Sequence, residues 1–127
     1  TIRLNVADYD EPDRDEFVNY LSELFCKYFQ NHIEMIEIVQ WPEHSYMKEH
    51  FDTARESTTR TSITYLNDDY EGGQTCVPSE KFCVNPKVGT TVFLDGQKYK
   101  HSVKEVRNGT RYTLAIWYTD DINLKII

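Results

Sequence analysis

Eight short β-rich runs follow one another from residue 35 onwards and strongly limit the folds open to this chain. They cover residues 35–41, 46–52, 61–66, 74–77, 81–84, 90–94, 99–103 and 111–119. Each run is rich in β-branched and aromatic residues and is bounded by turn-forming residues, and no second long helical pattern interrupts the series. Such a series favours a jelly roll, or double-stranded β-helix, of eight core strands whose two sheets enclose a cavity.

The segment before these runs predicts one edge strand and one helix. Residues 2–6 alternate in hydrophobicity, which is typical of a short strand. Pro12 follows several acidic residues and suits the first turn of a helix at about residues 12–31. The apolar stripe of that helix is predicted to contain Phe17, Leu21, Leu24 and Tyr28. The prediction is therefore a mainly β protein with one amphipathic amino-terminal helix, and its final residues, 124–127, are expected to add an edge strand.

Length and charge narrow the classes of protein. The 127 residues predict a single domain, residues 1–127, with its β-core at about 33–119. The formal net charge of −7 argues against nucleic-acid binding, which needs basic residues to neutralise phosphates. No apolar run approaches the roughly 20 residues that span a bilayer, which predicts a soluble protein with no membrane partner. Because Thr1 is not an initiator methionine, a trimmed amino terminus is expected.

The cysteines predict a reducing compartment. The chain has three cysteines, Cys26, Cys76 and Cys83, and no two of them form a Cys-x-x-Cys pair. An odd number of cysteines without such a pair favours free thiols and a cytoplasmic location. Cys76 and Cys83 flank a predicted turn, so one disulfide across a hairpin remains an alternative.

His50 and Asp52 are the first candidate functional pair. Two residues apart on a strand, they would point to the same face and could share a metal. By itself such a pair is a weak signal, because it is more often a solvated turn. His101, within the run 99–103, would complete a set of two histidines and one carboxylate, which is a ligand set for non-haem Fe(II).

Arg111 opens the alternating run 111–117. The alternation would place its guanidinium on the same face as Thr113, Ala115 and Trp117. If that face is buried, the charge needs an anion. The alternative is a surface arginine at the end of a hairpin, where Asn108-Gly109 predicts the turn.

The order and spacing of five motifs resemble a known family. The motifs are His50-x-Asp52, Tyr65-Leu-Asn-Asp-Asp-Tyr-Glu-Gly-Gly-Gln-Thr75, Pro86-Lys-x-Gly89, His101-Ser-Val and Gly109-Thr-Arg111-Tyr. Over about residues 35–118 the chain resembles the 2-oxoglutarate- and Fe(II)-dependent dioxygenases, in particular the prolyl 4-hydroxylase-like branch. The resemblance implies hydroxylation of a C–H bond, most readily in a peptidyl proline, while 2-oxoglutarate (2OG) is decarboxylated to succinate. It implies Fe(II), 2OG and O2, with ascorbate as reductant.

The same resemblance assigns roles to individual residues. It implies that His50, Asp52 and His101 bind the metal and that Arg111 binds the distal carboxylate of 2OG. The residues that it implies for contact with the cosubstrate or for the cavity wall beside it are Tyr65, Thr75, Thr113 and Trp117. For Tyr65 and Thr75, an ordinary place in a half-buried strand is the alternative.

The substrate is the least defined element. Residues 42–48, residues 53–59 and the strand leading to His101 are expected to rim the cavity, which offers Trp41, Tyr46 and Tyr99 as aromatic contacts. Acidic residues nearby in sequence favour an extended, neutral-to-basic peptide or protein substrate.

Three alternatives to a prolyl hydroxylase stay open. One is a lysyl or small-molecule hydroxylase of the same superfamily. Another is a non-catalytic, cupin-like binding module, although two buried histidines and a carboxylate are costly to keep without a metal. The third is an oxygenase that acts on nucleic acid, which the acidic composition disfavours.

Overall fold

Two antiparallel sheets face each other in the computed structural model, which describes residues 1–28, 30–52 and 55–126. Its strands are β1 (Ile2–Asn5), β2 (His32–Trp41), β3 (Met47–His50), β4 (Thr58–Tyr65), β5 (Glu71–Gly72), β6 (Thr75–Val77), β7 (Phe82–Val84), β8 (Thr91–Leu94), β9 (His101–Val103), β10 (Val106–Arg107) and β11 (Arg111–Thr119). One α-helix, α1, spans Asp13–Phe25. Short 3-10 helices span Val6–Asp8, Cys26–Tyr28, Pro78–Glu80 and Ile122–Leu124.

The strand order matches a double-stranded β-helix. The major sheet has the order β1-β2-β11-β4-β8, the minor sheet has the order β3-β9-β6-β7, and β5 and β10 form a small ribbon. Each of the eight predicted runs overlaps a strand of one of the two large sheets, and β1 is the predicted edge strand. The two-residue strands β5 and β10 had no signal in the sequence, because two residues are too few to show a period. The predicted fold class is confirmed.

Strands β2 and β11 are neighbours inside the major sheet, and both faces of this pair are covered. On one face Ile36, Ile116 and Tyr118 pack against Val18 and Leu21 of α1. The opposite face looks towards the minor sheet and carries, among others, Val39, Trp41, Arg111, Thr113, Ala115 and Trp117. Successive side chains of a strand point to opposite faces, so the same two strands build the core and the wall of a cavity.

The predicted helix is too long and its stripe is partly wrong. Residues 26–28 tighten into a 3-10 turn, and β2 begins at His32. Phe17 is 36% exposed and Leu24 is 44% exposed, whereas Val18 and Leu21 are buried. Helical spacing allowed either set, and contact with the sheet selected the face that contains Val18. The side chain of Tyr28 lies outside the described residues.

The carboxyl-terminal tail does not form the predicted edge strand. Residues 122–124 make a 3-10 turn that is capped by Asp121, whose side chain accepts a hydrogen bond from the backbone N–H of Asn123. The tail then meets β2 through one backbone hydrogen bond, from the N–H of Ile126 to the carbonyl of Ile33. Residue 127 lies outside the described residues.

Cys76 and Cys83 form a disulfide, so the expectation of free thiols is wrong for these two residues. They are directly opposite each other on β6 and β7, a register that follows from the short turn at residues 78–81. Cys26 is free and buried. The cytoplasmic assignment rested on reduced thiols and therefore loses its support. None of the helices in the described part of the chain has the length and apolar character to cross a membrane.

Candidate active site

A cavity of about 390 Å³ lies between the major and minor sheets. Its walls come from β2, β4 and β11 on one side and from β3 and β9 on the other. His50, Asp52 and His101 line this cavity, and so does Arg111. Residues that are distant in sequence therefore meet in one space.

His50 and His101 face each other across the β3–β9 pair. They are cross-strand partners, and their ring centroids are 4.3 Å apart. Nδ1 of His50 lies 2.8 Å from the carbonyl oxygen of Lys48, and Nδ1 of His101 lies 3.3 Å from that of Tyr99. A carbonyl only accepts, so each Nδ1 carries a hydrogen, and Nε2 is the ring nitrogen of each histidine that a metal could bind.

Asp52 reaches the histidines from a loop and not from a strand. The prediction of one strand over residues 46–52 is wrong at its end, because β3 stops at His50. Oδ1 of Asp52 lies 3.2 Å from Nε2 of His101 and 3.9 Å from Nε2 of His50. One potential ligand atom from each of the three residues falls within 4.8 Å of the others. The loop therefore achieves the convergence that the strand alternation was expected to supply.

The electrostatics of the cluster follow from burial and from these contacts. Burial by itself would raise the pKa of Asp52, but hydrogen bonds from His101 and Thr61 hold that pKa below its usual value. Burial by itself would lower the pKa of His101, but the hydrogen bond and charge of Asp52 raise it. The carboxylate is thus poised in its charged form, which is the form that binds a cation.

Arg111 is almost completely buried, with 1% of its surface exposed, so the alternative of a surface arginine is excluded. Its Nε donates to the carbonyl of Gly73 at 3.0 Å, and Nη2 donates to Oγ1 of Thr75 at 3.0 Å. The guanidinium carbon lies 4.8 Å from the centroid of the Trp41 ring. Burial lowers the pKa of Arg111, yet a guanidinium stays protonated in proteins. Among the described residues no carboxylate lies within 4.0 Å of it.

Tyr65 and Thr75 lie behind Arg111 rather than in the cavity wall. The Tyr65 hydroxyl lies 2.8 Å from Oγ1 of Thr75, accepts from the backbone N–H of Thr75 and lies 3.1 Å from the carbonyl oxygen of Val84. Neither residue is among the described residues that line the cavity. Both hydroxyls belong to a buried hydrogen-bond network that holds Arg111, and their predicted contact with the cosubstrate stays a prediction.

The other predicted site residues divide into two groups. Thr113 and Trp117 line the cavity, and Oγ1 of Thr113 accepts a hydrogen bond of 3.3 Å from Nε1 of Trp41. Trp41 also lines it, although it is buried beside Arg111 and not at the rim. Tyr46 and Tyr99 are absent from the described lining, and Tyr99 borders a separate groove. The structure therefore does not bring these two tyrosines to the cavity.

Several contributors had no recognised signal in the sequence. Oγ1 of Thr61 donates a 2.7 Å hydrogen bond to Oδ2 of Asp52. Gly73 has a φ of +67°, and a Cβ there would lie 3.1 Å from Cδ of Arg111, so a larger residue would crowd the guanidinium stem. Gly96 packs directly against the carboxylate of Asp52. The alternation of residues on β4 could have indicated that Thr61 faces the cavity. The roles of the two glycines depend on contacts between segments distant in sequence, so no local pattern indicates them.

A family model decides where this fold and cluster belong. The 2OG-Fe(II) oxygenase superfamily matches residues 36–119, which contain the three cluster residues and Arg111. The chain belongs to the 2OG-Fe(II) oxygenase superfamily. The resemblance seen in its motifs is thereby confirmed, and membership implies Fe(II), 2OG and O2 as the reagents of the family.

Prolyl hydroxylases are prominent among the relatives of this superfamily member. Prolyl 3-hydroxylase 2 of Rattus norvegicus is 33% identical over 67 residues, which cover 48% of this chain and 10% of that protein. Prolyl 3-hydroxylase 1 of Gallus gallus is 36% identical over 67 residues, covering 48% of this chain and 9% of that protein. The matched part is thus about a tenth of the length of these curated relatives.

Solved structures of the superfamily share the fold. A Burkholderia pseudomallei 2OG-Fe(II) oxygenase family protein has a TM-score of 0.73 at 21% identity and covers 87% of this chain and 57% of its own. The Paramecium Bursaria Chlorella virus-1 collagen prolyl hydroxylase, in a 2OG complex, has a TM-score of 0.70 at 19% identity, covering 89% and 76%. A Pseudomonas putida prolyl-4-hydroxylase has a TM-score of 0.72 at 18% identity, covering 94% and 71%.

The residues of this oxygenase domain fit the groups that its superfamily uses. Two imidazoles and a carboxylate converge with one potential ligand atom each, which is the ligand set of non-haem Fe(II) oxygenases. Arg111 offers a buried fork of donors without a carboxylate among the described residues, which suits a dicarboxylate such as 2OG.

Proposed function

We propose that this domain is a 2OG- and Fe(II)-dependent dioxygenase that hydroxylates a peptidyl proline. One observation carries the proposal: the histidine–carboxylate cluster and the buried, carboxylate-free Arg111 line the same cavity. A metal site alone would fit many proteins. A metal site that shares its cavity with a buried guanidinium suits a chelating dicarboxylate.

In this proposal His50, Asp52 and His101 hold Fe(II). The two Nε2 atoms and Oδ1 of Asp52 face one another, while the Nδ1 hydrogen bonds fix both ring orientations. Three protein ligands leave coordination positions for other molecules. Bound Fe(II) with 2OG and O2 would supply the oxidation of a C–H bond to an alcohol, coupled to decarboxylation of 2OG to succinate.

Arg111 binds the distal carboxylate of 2OG in this proposal. Its Nε and Nη2 are tied to Gly73 and Thr75, so the guanidinium plane is fixed before the cosubstrate arrives. The ring of Trp41 stacks on one side of the guanidinium. Apolar residues of the same two strands, β2 and β11, line the cavity beside it, among them Val39 and Ala115. A preformed cation in a largely apolar cavity binds a carboxylate strongly because little water competes.

A proline substrate agrees with the charges of the cavity better than a lysine does. Away from the metal cluster and Arg111, the charged residues of the described lining are Arg3, Glu37 and Arg55. Glu37 is paired with Arg3 at 3.1 Å, and Arg55 lies 3.7 Å from Glu34. Outside the metal cluster, the described lining therefore leaves no unpaired carboxylate to receive a lysine ammonium, whereas a prolyl ring brings no charge. The names of the related prolyl hydroxylases support the same choice.

Succinate formation and product mass test the reaction. The protein is incubated with 2OG, Fe(II), ascorbate and either proline-rich or lysine-rich peptides. We expect succinate in proportion to a +16 Da product on the proline-rich peptide. Product on lysine peptides alone, or on a free amino acid alone, would reassign the substrate. Metal and 2OG binding with no turnover of any peptide, amino acid or methylated oligonucleotide would favour a binding module.

A pair of arginine variants tests the cosubstrate site. Arg111→Met keeps much of the side-chain volume but removes the charge, and truncating a buried partner of a charge pair costs roughly 2–5 kcal/mol. We expect a strongly raised 2OG requirement with unchanged metal affinity. Arg107→Met removes an exposed arginine of β10, the strand that precedes β11 in the chain, and should change neither quantity. Equal 2OG requirements in the two variants would contradict the assignment.

A further inference from the structure

The turn at residues 95–99 is closed by its own hydrogen bonds. Oδ1 of Asp95 accepts from the backbone N–H groups of Gln97 and Lys98, each at 3.1 Å. The carbonyl of Asp95 accepts from the N–H of Tyr99 at 2.9 Å. An Asp side chain that caps a turn in this way limits the backbone conformations available to it. The turn is thus a defined unit between β8 and β9.

This turn holds the loop that carries Asp52. The backbone N–H of Asp52 donates to the carbonyl of Gly96 at 2.8 Å. Nε2 of Gln97 donates to the carbonyls of Arg55 and Glu56, at 3.0 and 3.1 Å. The turn is therefore hydrogen-bonded to the loop at residue 52 and again at residues 55 and 56. Residues 53 and 54 between them lie outside the described residues. The carbonyl of Tyr99, at the end of the same turn, orients His101.

Gly96 is the point of closest approach between the turn and the carboxylate. A Cβ at Gly96 would lie 2.1 Å from Oδ2 of Asp52 and 2.7 Å from its Cγ. The φ of Gly96 lies outside the left-handed region, so other residues could adopt its backbone conformation. The requirement for glycine at this position is therefore one of space, and the space is filled by the carboxylate.

We propose that Gly96 is a positioning residue for the metal site: its lack of a side chain lets the residue 95–99 turn clamp Asp52 with Oδ1 facing the two imidazoles. This inference rests on the proposed metal-binding role of Asp52. An alanine at residue 96 would push the carboxylate away from Thr61 and out of the cluster. The histidines would be left as the two remaining ligands.

The first test measures metal binding rather than turnover. Co²⁺ is titrated into the wild-type protein and into Gly96→Ala, with affinity from calorimetry and ligand geometry from the visible absorption spectrum. We expect Gly96→Ala to bind Co²⁺ about 10- to 100-fold more weakly and to show an altered absorption spectrum. Loss of a residue that orients a metal ligand typically has an effect of this size. Gly89→Ala is the matched control, because a Cβ there meets no atom within 4 Å although its φ is +84°. It should lose stability without any change in the spectrum.

The second test needs no metal and separates this inference from the proposed function. Thermal unfolding is compared for wild type, Gly96→Ala, Asp52→Ala and the double variant. Gly96→Ala should lower the unfolding temperature by about 5 °C or more when Asp52 is present, but by less than about 2 °C in the Asp52→Ala background. If Gly96→Ala does not fold, recovery of folding in the double variant supports the contact.

Two results would overturn the inference. One is a Gly96→Ala protein with the wild-type Co²⁺ affinity and spectrum. The other is an equal loss of unfolding temperature in both backgrounds, or a double variant that folds no better than Gly96→Ala. If wild type itself binds no metal, the proposed function fails, while the unfolding comparison still decides whether Gly96 makes room for Asp52.

Discussion

Oδ2 of Asp52 accepts a 2.7 Å hydrogen bond from the hydroxyl of Thr61, which leaves Oδ1 as the oxygen nearest the two imidazoles. The two residues are nine positions apart, and Thr61 belongs to the major sheet while Asp52 lies two residues beyond the end of β3. The contact thus ties the loop ligand to the rigid wall of the cavity. A carboxylate fixed at one oxygen offers the other in a defined direction.

Thr61→Val should weaken metal binding without unfolding the domain. Valine matches threonine in shape but cannot donate the hydrogen bond, so the carboxylate is freer to rotate, and we expect roughly a 10- to 100-fold loss of Co²⁺ or Fe²⁺ affinity. Thr64→Val on the same strand breaks the Thr64–Thr91 hydrogen bond instead and serves as the control. Calorimetry measures the metal affinity of both variants. Equal metal affinities of Thr61→Val and Thr64→Val would show that Thr61 does not support the metal site.

His101→Ala should abolish stoichiometric metal binding. It removes one of three convergent donors and the partner that holds Asp52 in its charged form. His44→Ala is the matched control, since the His44 side chain is 75% exposed and is not part of the cluster. Metal content after dialysis, measured on protein whose fold is checked by circular dichroism, gives the result. Unchanged affinity in His101→Ala would mean that the three-residue cluster is not the metal site.

Tyr65→Phe should lower stability and raise the 2OG requirement together. The change leaves the N–H of Thr75 and the carbonyl of Val84 without their buried partner, at a cost of about 1–3 kcal/mol. It also loosens Thr75, which accepts from Arg111. Tyr118→Phe removes a comparable buried hydroxyl, hydrogen-bonded to Ser62, on the opposite face of the sheet. Denaturant unfolding and a 2OG titration should show similar stability losses but a changed 2OG requirement only for Tyr65→Phe.

The thiol count should depend on reduction. Denatured protein should react with one equivalent of iodoacetamide without reductant and with three after reduction, because Cys76 and Cys83 are joined. In the native state Cys26 should react slowly, since burial raises the pKa of its thiol. Loss of a disulfide that closes so short a loop costs about 2–3 kcal/mol in the chain-entropy description. Three reactive thiols in unreduced, denatured protein would contradict the pairing.

Features that repeat at a regular spacing could be predicted from the sequence. Alternation over residues 111–117 predicted that Arg111, Thr113, Ala115 and Trp117 share a face, and all four line the cavity. The same kind of pattern failed for α1, where two apolar stripes were compatible with one helix. Periodicity identifies a face but does not say which of two faces a neighbouring sheet will cover.

Chemical identity and order along the chain were enough to select the candidate cluster, the basic side chain and the superfamily, because each depends on residue types at roughly fixed separations. The tertiary structure alone decided how Asp52 arrives, that Tyr65 and Thr75 support Arg111 from behind, and that Gly96 must be small. These features arise where segments that are distant in sequence come into contact. Their physical basis is excluded volume and hydrogen-bond geometry between those segments, which no local pattern of residues encodes.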